Sequence, residues 1–361
     1  MNLADIAGLR LDNQHITRSE LKTPKDLVGW MGAVQAQDYP MAKWALGVRL
    51  PNSTEKSIET AIDRGDIIRT HVLRPTWHFV TAGDLHWMLD LTAPRIRASM
   101  ISRDKILGLT EDLVARSNRI IRKALEPDRQ LSREKLISVL QKARIPTDNN
   151  RAWHLLLRAE LDGIICGGAV NGKTHAYTLL EQRVPRGEAF TREESLERLA
   201  RIYFSSHGPA TLKDFAWWSG LTTTDARRAL EMIQPEFVSE TIGACTYWFH
   251  GSLSLRKSKK TFVHLLPAYD EFMVSYKDRS AAVDLKHQKR AVSSNGIFWP
   301  AIVINGRVSA VWKRALTDKK VVVEIRFLRP QTSGEKRLIQ GAGERLGDFL
   351  GREAEIHYRT R

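Results

Sequence analysis

The sequence has little cysteine and no long hydrophobic run. Only Cys166 and Cys245 occur in 361 residues, far apart in the chain. Because neither has companion ligands at a useful spacing, they support neither a disulfide framework nor a zinc site. No stretch approaches the ~20 apolar residues of a membrane span, and residues 1–7 lack the charged and apolar regions of a secretory signal. We therefore expect a cytoplasmic protein without metal, cofactor or membrane association.

Acidic residues are scarce relative to basic ones. The chain has 56 Lys and Arg against 41 Asp and Glu, which leaves a formal net charge of +15. This imbalance favours a polyanionic partner, of which nucleic acid is the commonest. Since domains usually hold ~100–150 residues, a chain of this length should contain roughly two to four modules.

Two glutamines stand two residues apart where a helix should end. On a helix, residues i and i+2 point about 200° apart, whereas in an extended segment they share one face. Thr23-Pro24 is typical of an N-cap followed by proline at the first helical position. The spacing predicts a helix over 24–34, with Gln35 and Gln37 just beyond it and able to converge on one target.

The residues after the glutamines lead to two further predictions. Pro40 should bias Tyr39 away from the helical conformation. Asp38 should point away from the glutamines if the segment is extended, so we expect it to have a structural role such as pairing or capping.

The next segment has the element order of a winged helix. A helix is predicted over 57–64, ended by Gly65, and strands over 67–73 and 76–80 flank the turn Arg74-Pro75. Alternation in the second strand places Thr76 and His78 on one face.

The same order recurs twice and is followed by β-rich sequence. The next copy has helices at 131–143 and 149–162, a hairpin with a turn at Asn171-Gly172, and a linker over 181–194. The third has helices at 196–204, 212–218 and 225–233 and wing strands at 237–241 and 246–250. A basic run at 256–260 precedes strands at 262–266, 301–304, 307–312 and 321–327.

These patterns predict an α+β protein with three tandem winged-helix units and a separate C-terminal antiparallel β-rich module. The expected boundaries are 1–110, 111–185, 190–258 and 259–361. Such an array could line one duplex with three electropositive faces.

Several segments resemble the AlkZ-type winged-helix DNA glycosylases. That family carries a Gln-apolar-Gln or Gln-apolar-Asp catalytic motif and a Thr-apolar-His motif, matched here by Gln35-Ala36-Gln37 and Thr76-Trp77-His78. The resembling segments are 9–14, 32–39, 44–49, 69–78, 265–272, 276–279, 295–298, 306–308 and 312–314.

The resemblance implies a repair enzyme that hydrolyses the N-glycosidic bond of N7-alkylated guanine, including that of interstrand crosslinks. Its partner would be double-stranded, alkylated DNA, bound by a monomer. The implied site residues are Gln35 and Gln37 for catalysis, and Thr76, His78, Arg69 and His71 for contacts with DNA or the extruded nucleotide.

Glutamine chemistry agrees with this substrate. Glycosidic hydrolysis passes through a cationic, oxocarbenium-like sugar. Glutamine cannot ionise, but its carbonyl oxygen accepts hydrogen bonds from water and its dipole can face the cation. That suffices only for an activated leaving base, such as N7-alkylguanine, which carries a fixed positive charge.

Two other functions remain open from the sequence. In a non-enzymatic DNA-binding regulator or architectural protein the glutamines would only contact phosphate or bases. A base-reading glutamine would lie on the exposed face of a recognition helix, whereas catalytic glutamines would lie in a concavity between modules. A nuclease would need clustered carboxylates to hold Mg²⁺. Asp270-Glu271 is the one pair that suggests such a metal site, and it lacks companion carboxylates at a workable spacing.

Overall fold

A computed structural model of the chain describes residues 1–126, 128–171, 174–251 and 260–359. The fold is mixed α/β. Gly172 of the expected turn lies outside the described residues, as does the basic run 256–260 except for its last residue. Within the described ranges, no helix combines the length and the apolar character needed to cross a bilayer.

The N-terminal part combines helices with a small antiparallel sheet. Its elements are α1 (Leu3–Asn13), α2 (Pro24–Met31), β1 (Val34–Gln35), α3 (Tyr39–Gly47), α4 (Glu55–Arg64), β2 (Ile67–His71), β3 (Trp77–Thr81) and α5 (Ala82–Ile106). The strand order is β1-β3-β2. Helix α4 corresponds to the one predicted over 57–64, and Gly65 ends it in the left-handed conformation. Helices α1, α3 and α5 were not predicted.

The segment around the glutamines differs from the prediction. Helix α2 stops at Met31 rather than at 34, because Gly32 has a φ of 74° and the following residues pair with β3 as strand β1. The expectation that Pro40 keeps Tyr39 out of a helix is wrong. Tyr39 begins α3, since proline in a first helical turn removes no intrahelical hydrogen bond. Asp38 caps α3 by accepting a backbone N–H at 3.1 Å, so its structural role is confirmed.

Two further groups of helices, each followed by a hairpin, occupy the middle of the chain. The first contains α6 (Glu111–Leu125), β4 (Leu131–Ser132), α7 (Arg133–Lys142), α8 (Arg151–Leu161), β5 (Ile165–Asn171), β6 (Thr174–Leu179) and α9 (Leu180–Arg183). The second contains α10 (Arg192–His207), α11 (Leu212–Ser219), α12 (Thr223–Ile233), β7 (Phe237–Ile242) and β8 (Cys245–His250). The linker predicted over 181–194 is partly helical, because α9 and α10 overlap its two ends.

The C-terminal part contains a five-stranded sheet. Its elements are β9 (Val263–Leu266), α13 (Glu271–Val274), α14 (Leu285–Ala291), β10 (Ala301–Ile304), β11 (Arg307–Leu316), β12 (Lys320–Phe327), α15 (Ser333–Leu350) and β13 (Glu353–Tyr358). The strand order is β13-β12-β11-β10-β9, antiparallel except for the parallel pair β12-β13. Helix α15 and strand β13 were not predicted.

This sheet does not pack as the separate module expected from the sequence. A single hydrophobic cluster contains Leu27 and Met31 of α2 together with Ile302 of β10, Val323 of β12 and Phe349 of α15. A sheet face and a helix stripe must both be buried against another element. Here the N-terminal helices and α15 bury the sheet, so residues more than 250 positions apart share one core.

Close backbone approaches at two glycines fix the β2-β3 hairpin. A Cβ atom on Gly167 of β5 would lie 2.5 Å from the Arg69 carbonyl oxygen. One on Gly220, which has a φ of 69°, would lie 2.2 Å from the Leu73 carbonyl oxygen. Since no side chain fits at these distances, glycine allows the middle groups to pack against strand β2 and the loop that follows it.

A buried arginine joins the N-terminal and C-terminal parts. Arg49, just after α3, is 1% exposed. Its Nη1 and Nη2 donate to the two carboxylate oxygens of Asp270, each at 2.8 Å. The remaining N–H groups donate to Ala45 and Gln14 oxygens at 2.8–3.0 Å. The guanidinium therefore uses all its donors inside the protein.

We predict that Arg49→Met destabilises the fold strongly, because it leaves the Asp270 carboxylate buried without a countercharge. The expected loss in the free energy of unfolding is about 3–5 kcal/mol, measured by urea denaturation. Arg18→Met is the matched control, since Arg18 pairs with Glu20 on the surface and exposed pairs contribute little. Equal losses in the two variants would contradict this prediction.

Candidate functional site

The backbone of the Gln35-Ala36-Gln37 segment is held from both sides. Strand β1 pairs with β3 so that Gln35 lies opposite His78. The Ala36 N–H donates to the Trp77 carbonyl oxygen at 2.7 Å. The Ala36 carbonyl oxygen accepts from Nε and Nη2 of Arg69 at 3.1 and 2.9 Å. The peptide groups between the two glutamines are therefore fixed before any ligand arrives.

Gln35 is held at its backbone and at its side chain. It is 6% exposed. Its N–H donates to Oε1 of Glu271 at 2.6 Å, and its Oε1 accepts from Nη2 of Arg74 at 3.0 Å. These partners are 236 and 39 residues away in the chain, so only tertiary packing brings them to the glutamine.

Gln37 has a different environment. It follows β1 and precedes Asp38, the N-cap of α3. Its side chain is exposed, whereas that of Gln35 is buried. The motif therefore presents one glutamine to solvent and holds the other inside the protein.

His78 is completely buried and neutral. Its Nδ1 lies 2.9 Å from the Thr76 carbonyl oxygen, which can only accept, so Nδ1 carries the proton. Burial, together with the nearby positive charge of Arg74, lowers the His78 pKa to about 3. Nε2 is consequently a hydrogen-bond acceptor, and it has no partner among the described residues.

His71 and Arg69 make contacts that support the hairpin. His71 is 2% exposed, and its Nδ1 lies 2.8 Å from Oε2 of Glu160. The same oxygen accepts from the His71 backbone N–H at 3.0 Å, which ties β2 to α8. The Arg69 guanidinium lies 4.2 Å from the centroid of the Trp77 ring. Burial lowers the Arg69 pKa to about 10, so it remains a cation at neutral pH.

Sequence reasoning missed the residues that surround Gln35. Glu271 has no exposed surface and accepts a hydrogen bond from the Ser275 hydroxyl. Burial alone would raise its pKa, but contacts with His207 and Ser275 and the positive charge of Arg74 reverse this and lower the pKa to about 2. The His207 Nε2 lies 3.7 Å from Oε2 of Glu271. Both Arg74 and Glu271 lie within resembling segments, but no spacing in the sequence connects them with Gln35.

Several polar atoms near Gln35 lack a protein partner. They are Arg74 Nε, Thr76 Oγ1 and His78 Nε2, all buried and without a hydrogen bond among the described residues. Buried polar groups are nearly always hydrogen-bonded, and clustered exceptions call for a ligand or water. The cluster offers a guanidinium donor and a hydroxyl, which suit the oxygens of a sugar phosphate, and an imidazole acceptor, which suits a water or a base N–H.

The geometry weakens the two other functions considered from the sequence. Asp270 binds Arg49, and Glu271 binds Gln35 and Ser275, so neither carboxylate is available for Mg²⁺. In the part of the chain that the structure describes, no group of three or more potential metal ligands is found. Gln35 lies on β1 and Gln37 in the following turn, rather than on the face of a helix that could read bases.

Comparisons with known proteins agree with this architecture. The family model described as DNA glycosylase AlkZ-like matches residues 28–349. An interstrand DNA cross-link repair glycosylase of Streptomyces sahachiroi is 21% identical over 336 residues, which is 87% of this chain and 88% of that protein. The solved structure of Streptomyces sahachiroi DNA glycosylase AlkZ superposes with a TM-score of 0.81 at 18% identity, covering 99% of this chain and 100% of that one.

The family match extends over most of the chain and includes the glutamine motif, the β2-β3 hairpin and the Asp270-Glu271 pair. The structural likeness independently supports the same fold along nearly the whole length. The chain therefore belongs to the AlkZ-like DNA glycosylase family.

Proposed function

We propose that this protein hydrolyses the N-glycosidic bond of N7-alkylated guanine in double-stranded DNA, including guanines joined in interstrand crosslinks. The observation that carries the proposal is the immobilised Gln35-Ala36-Gln37 segment, held by Glu271, Arg69 and Trp77 with Gln37 facing solvent. The crosslink activity named for the Streptomyces relative agrees with this substrate class.

The proposed reaction needs no strong base. The bond between C1′ and N9 breaks, the alkylated base leaves as a neutral molecule, and water adds to C1′ and releases a proton. In this scheme Gln35 and Gln37 are the catalytic residues. Together they position the nucleotide and the water, and an amide oxygen that faces the sugar stabilises its developing positive charge. Because the leaving base already carries positive charge, removal of the base needs no proton from the enzyme.

We propose that the remaining site residues contact or support the extruded nucleotide. Among the described residues, the buried Thr76 hydroxyl is unpaired and suits a sugar or phosphate oxygen. The unpaired His78 Nε2, which can only accept, suits water or a base N–H. Arg69 supports the site indirectly through the Ala36 carbonyl, and His71 through Glu160.

The proposed DNA-binding architecture is three winged-helix units over 1–110, 111–185 and 190–258, followed by the β-rich part over 259–361. Each of the three units contains helices followed by a hairpin. The net charge of +15 suits a monomer that lines an alkylated duplex.

The direct test is incubation of the purified protein, in excess, with a duplex containing one N7-methylguanine. Alkaline cleavage of the product strand would report the abasic site. We expect cleavage at the modified position only. Failure to release alkylated base from monoadducted or crosslinked duplexes would overturn the proposed function.

Replacing either glutamine with alanine should slow excision without weakening DNA binding. A neutral amide removes no phosphate-neutralising charge, but loss of one transition-state interaction should reduce the single-turnover rate by at least ~10²-fold. Gln340→Ala on α15 is the matched control and should leave the rate unchanged. Parallel losses of affinity and rate would identify the glutamines as substrate anchors instead.

Gln37→Asp should retain substantial activity. An ionised carboxylate at this exposed position should stabilise the sugar cation at least as well as an amide dipole. Comparison of Gln37→Asp with Gln37→Ala under single-turnover conditions measures this difference. A rate for Gln37→Asp as low as that for Gln37→Ala would contradict the assigned role.

The wild-type excision rate should change little between about pH 5 and 8. His78, with a pKa lowered to about 3, stays neutral over this range, and Glu271, with a pKa lowered to about 2, stays ionised. A histidine base of ordinary pKa would instead lower the rate about tenfold per unit below ~6.5. Single-turnover rates across this range, corrected for spontaneous base loss, would distinguish the two.

A further inference from the structure

We infer that Arg74 and Glu271 are positioning residues that lock Gln35 with its amide nitrogen toward the extruded nucleotide. Gln35 then acts as a hydrogen-bond donor to a nucleotide oxygen, and Gln37 acts as the acceptor for water. This inference rests on the proposed function and assigns the two glutamines different roles.

The contact with Arg74 determines which way the Gln35 amide faces. A guanidinium has only donors, so the atom 3.0 Å from Arg74 Nη2 must be the amide oxygen. The amide nitrogen consequently lies on the other side of the group. It makes no hydrogen bond with any described residue and is not among the fully buried, unpaired atoms. Its two N–H groups are therefore the part of Gln35 available to a ligand.

Arg74 is itself restrained. Its backbone N–H donates to the Val72 carbonyl oxygen at 2.6 Å, and Gly220 packs against the adjacent Leu73 carbonyl. Burial lowers the Arg74 pKa, while the negative charge of Glu271 acts in the opposite direction. The Arg74 side chain is half-buried, and its Nε has no hydrogen-bond partner among the described residues.

Glu271 holds the other end of the same glutamine. Its Oε1 accepts the Gln35 N–H at 2.6 Å. Glu271 is the first residue of α13, whose N-cap is Asp270, and Asp270 is fixed by Arg49. One buried carboxylate thus anchors the Gln35 backbone and balances the charge of the arginine that orients its side chain.

The two glutamines consequently differ in what they can do. The Gln35 oxygen has one lone pair engaged by a cation, which makes it a poorer partner for water. Gln37 is exposed, and its side chain makes no hydrogen bond with the described residues, so its carbonyl can accept from water. This division of roles predicts that Gln35→Glu loses activity whereas Gln37→Asp retains it, because a carboxylate keeps the hydrogen-bond acceptor and loses the donor.

A double-mutant cycle tests the coupling between Arg74 and Gln35. Arg74→Met should slow single-turnover excision ~10–10²-fold, with wild-type affinity for undamaged duplex and an unchanged salt dependence. Adding Arg74→Met to Gln35→Ala should cost almost nothing further, since the arginine would act only through the glutamine. If the two substitutions instead slow excision by factors that multiply, Arg74 acts independently of Gln35 and the inference is overturned. A salt-dependence slope of DNA binding reduced by about one in Arg74→Met would identify Arg74 as a phosphate contact and would also overturn it.

Gln35→Glu tests the donor role. It keeps an oxygen for Arg74 but removes the amide N–H groups, so it should be nearly as slow as Gln35→Ala. Activity close to wild type would overturn the donor assignment. Arg74→Lys, which keeps the charge without the forked geometry, provides a second cycle if Arg74→Met fails to fold. All these comparisons require an active wild type, so inactivity of the wild type would overturn the proposed function rather than this inference.

Discussion

The buried pair of Arg49 and Asp270 is the interaction on which the site depends. Two parallel hydrogen bonds at 2.8 Å fix the start of α13 against the end of α3. The next residue, Glu271, can then accept the Gln35 N–H. A bidentate contact defines both distance and orientation. The ion pair therefore helps to position the glutamine strand without contacting Gln35 or Gln37.

Burial shapes the chemistry of this site in two ways. It keeps His78 neutral, so Nε2, which is unpaired within the described part of the chain, is an acceptor. It also makes any uncompensated charge costly. Arg74 and Glu271 meet that cost by lying close enough to stabilise each other. The result is a polar cluster with little net charge behind a segment bearing two neutral amides. Such a cluster suits a leaving group that brings its own positive charge.

The N-terminal and C-terminal halves cooperate because they share one hydrophobic core. Helix α2, which precedes the glutamine strand, packs into the same cluster as β10, β12 and α15. A displacement of the C-terminal sheet would therefore also displace β1. The polar contacts of Asp270 and Glu271 and the apolar contacts of the sheet both couple the glutamines to residues near the other end of the chain.

Local signals in the sequence determined much of the fold. Thr23, Thr211 and Thr222 cap helices, and Gly65 and Gly163 adopt the left-handed conformation where helices were expected to end. These helix ends can be recognised in the sequence because cap and turn preferences depend on neighbouring residues alone. The extended glutamine segment was also predictable, although its pairing with β3 was not.

Only the tertiary structure decided which residues surround Gln35 and which elements share a core. Arg74 and Glu271 become partners of Gln35 through packing between distant segments. The exposure of Gln37 and the burial of His78 likewise depend on what covers each strand face. Local sequence defines the elements and the available chemical groups. Burial and long-range contacts, which no short window contains, decide how those groups are oriented and charged.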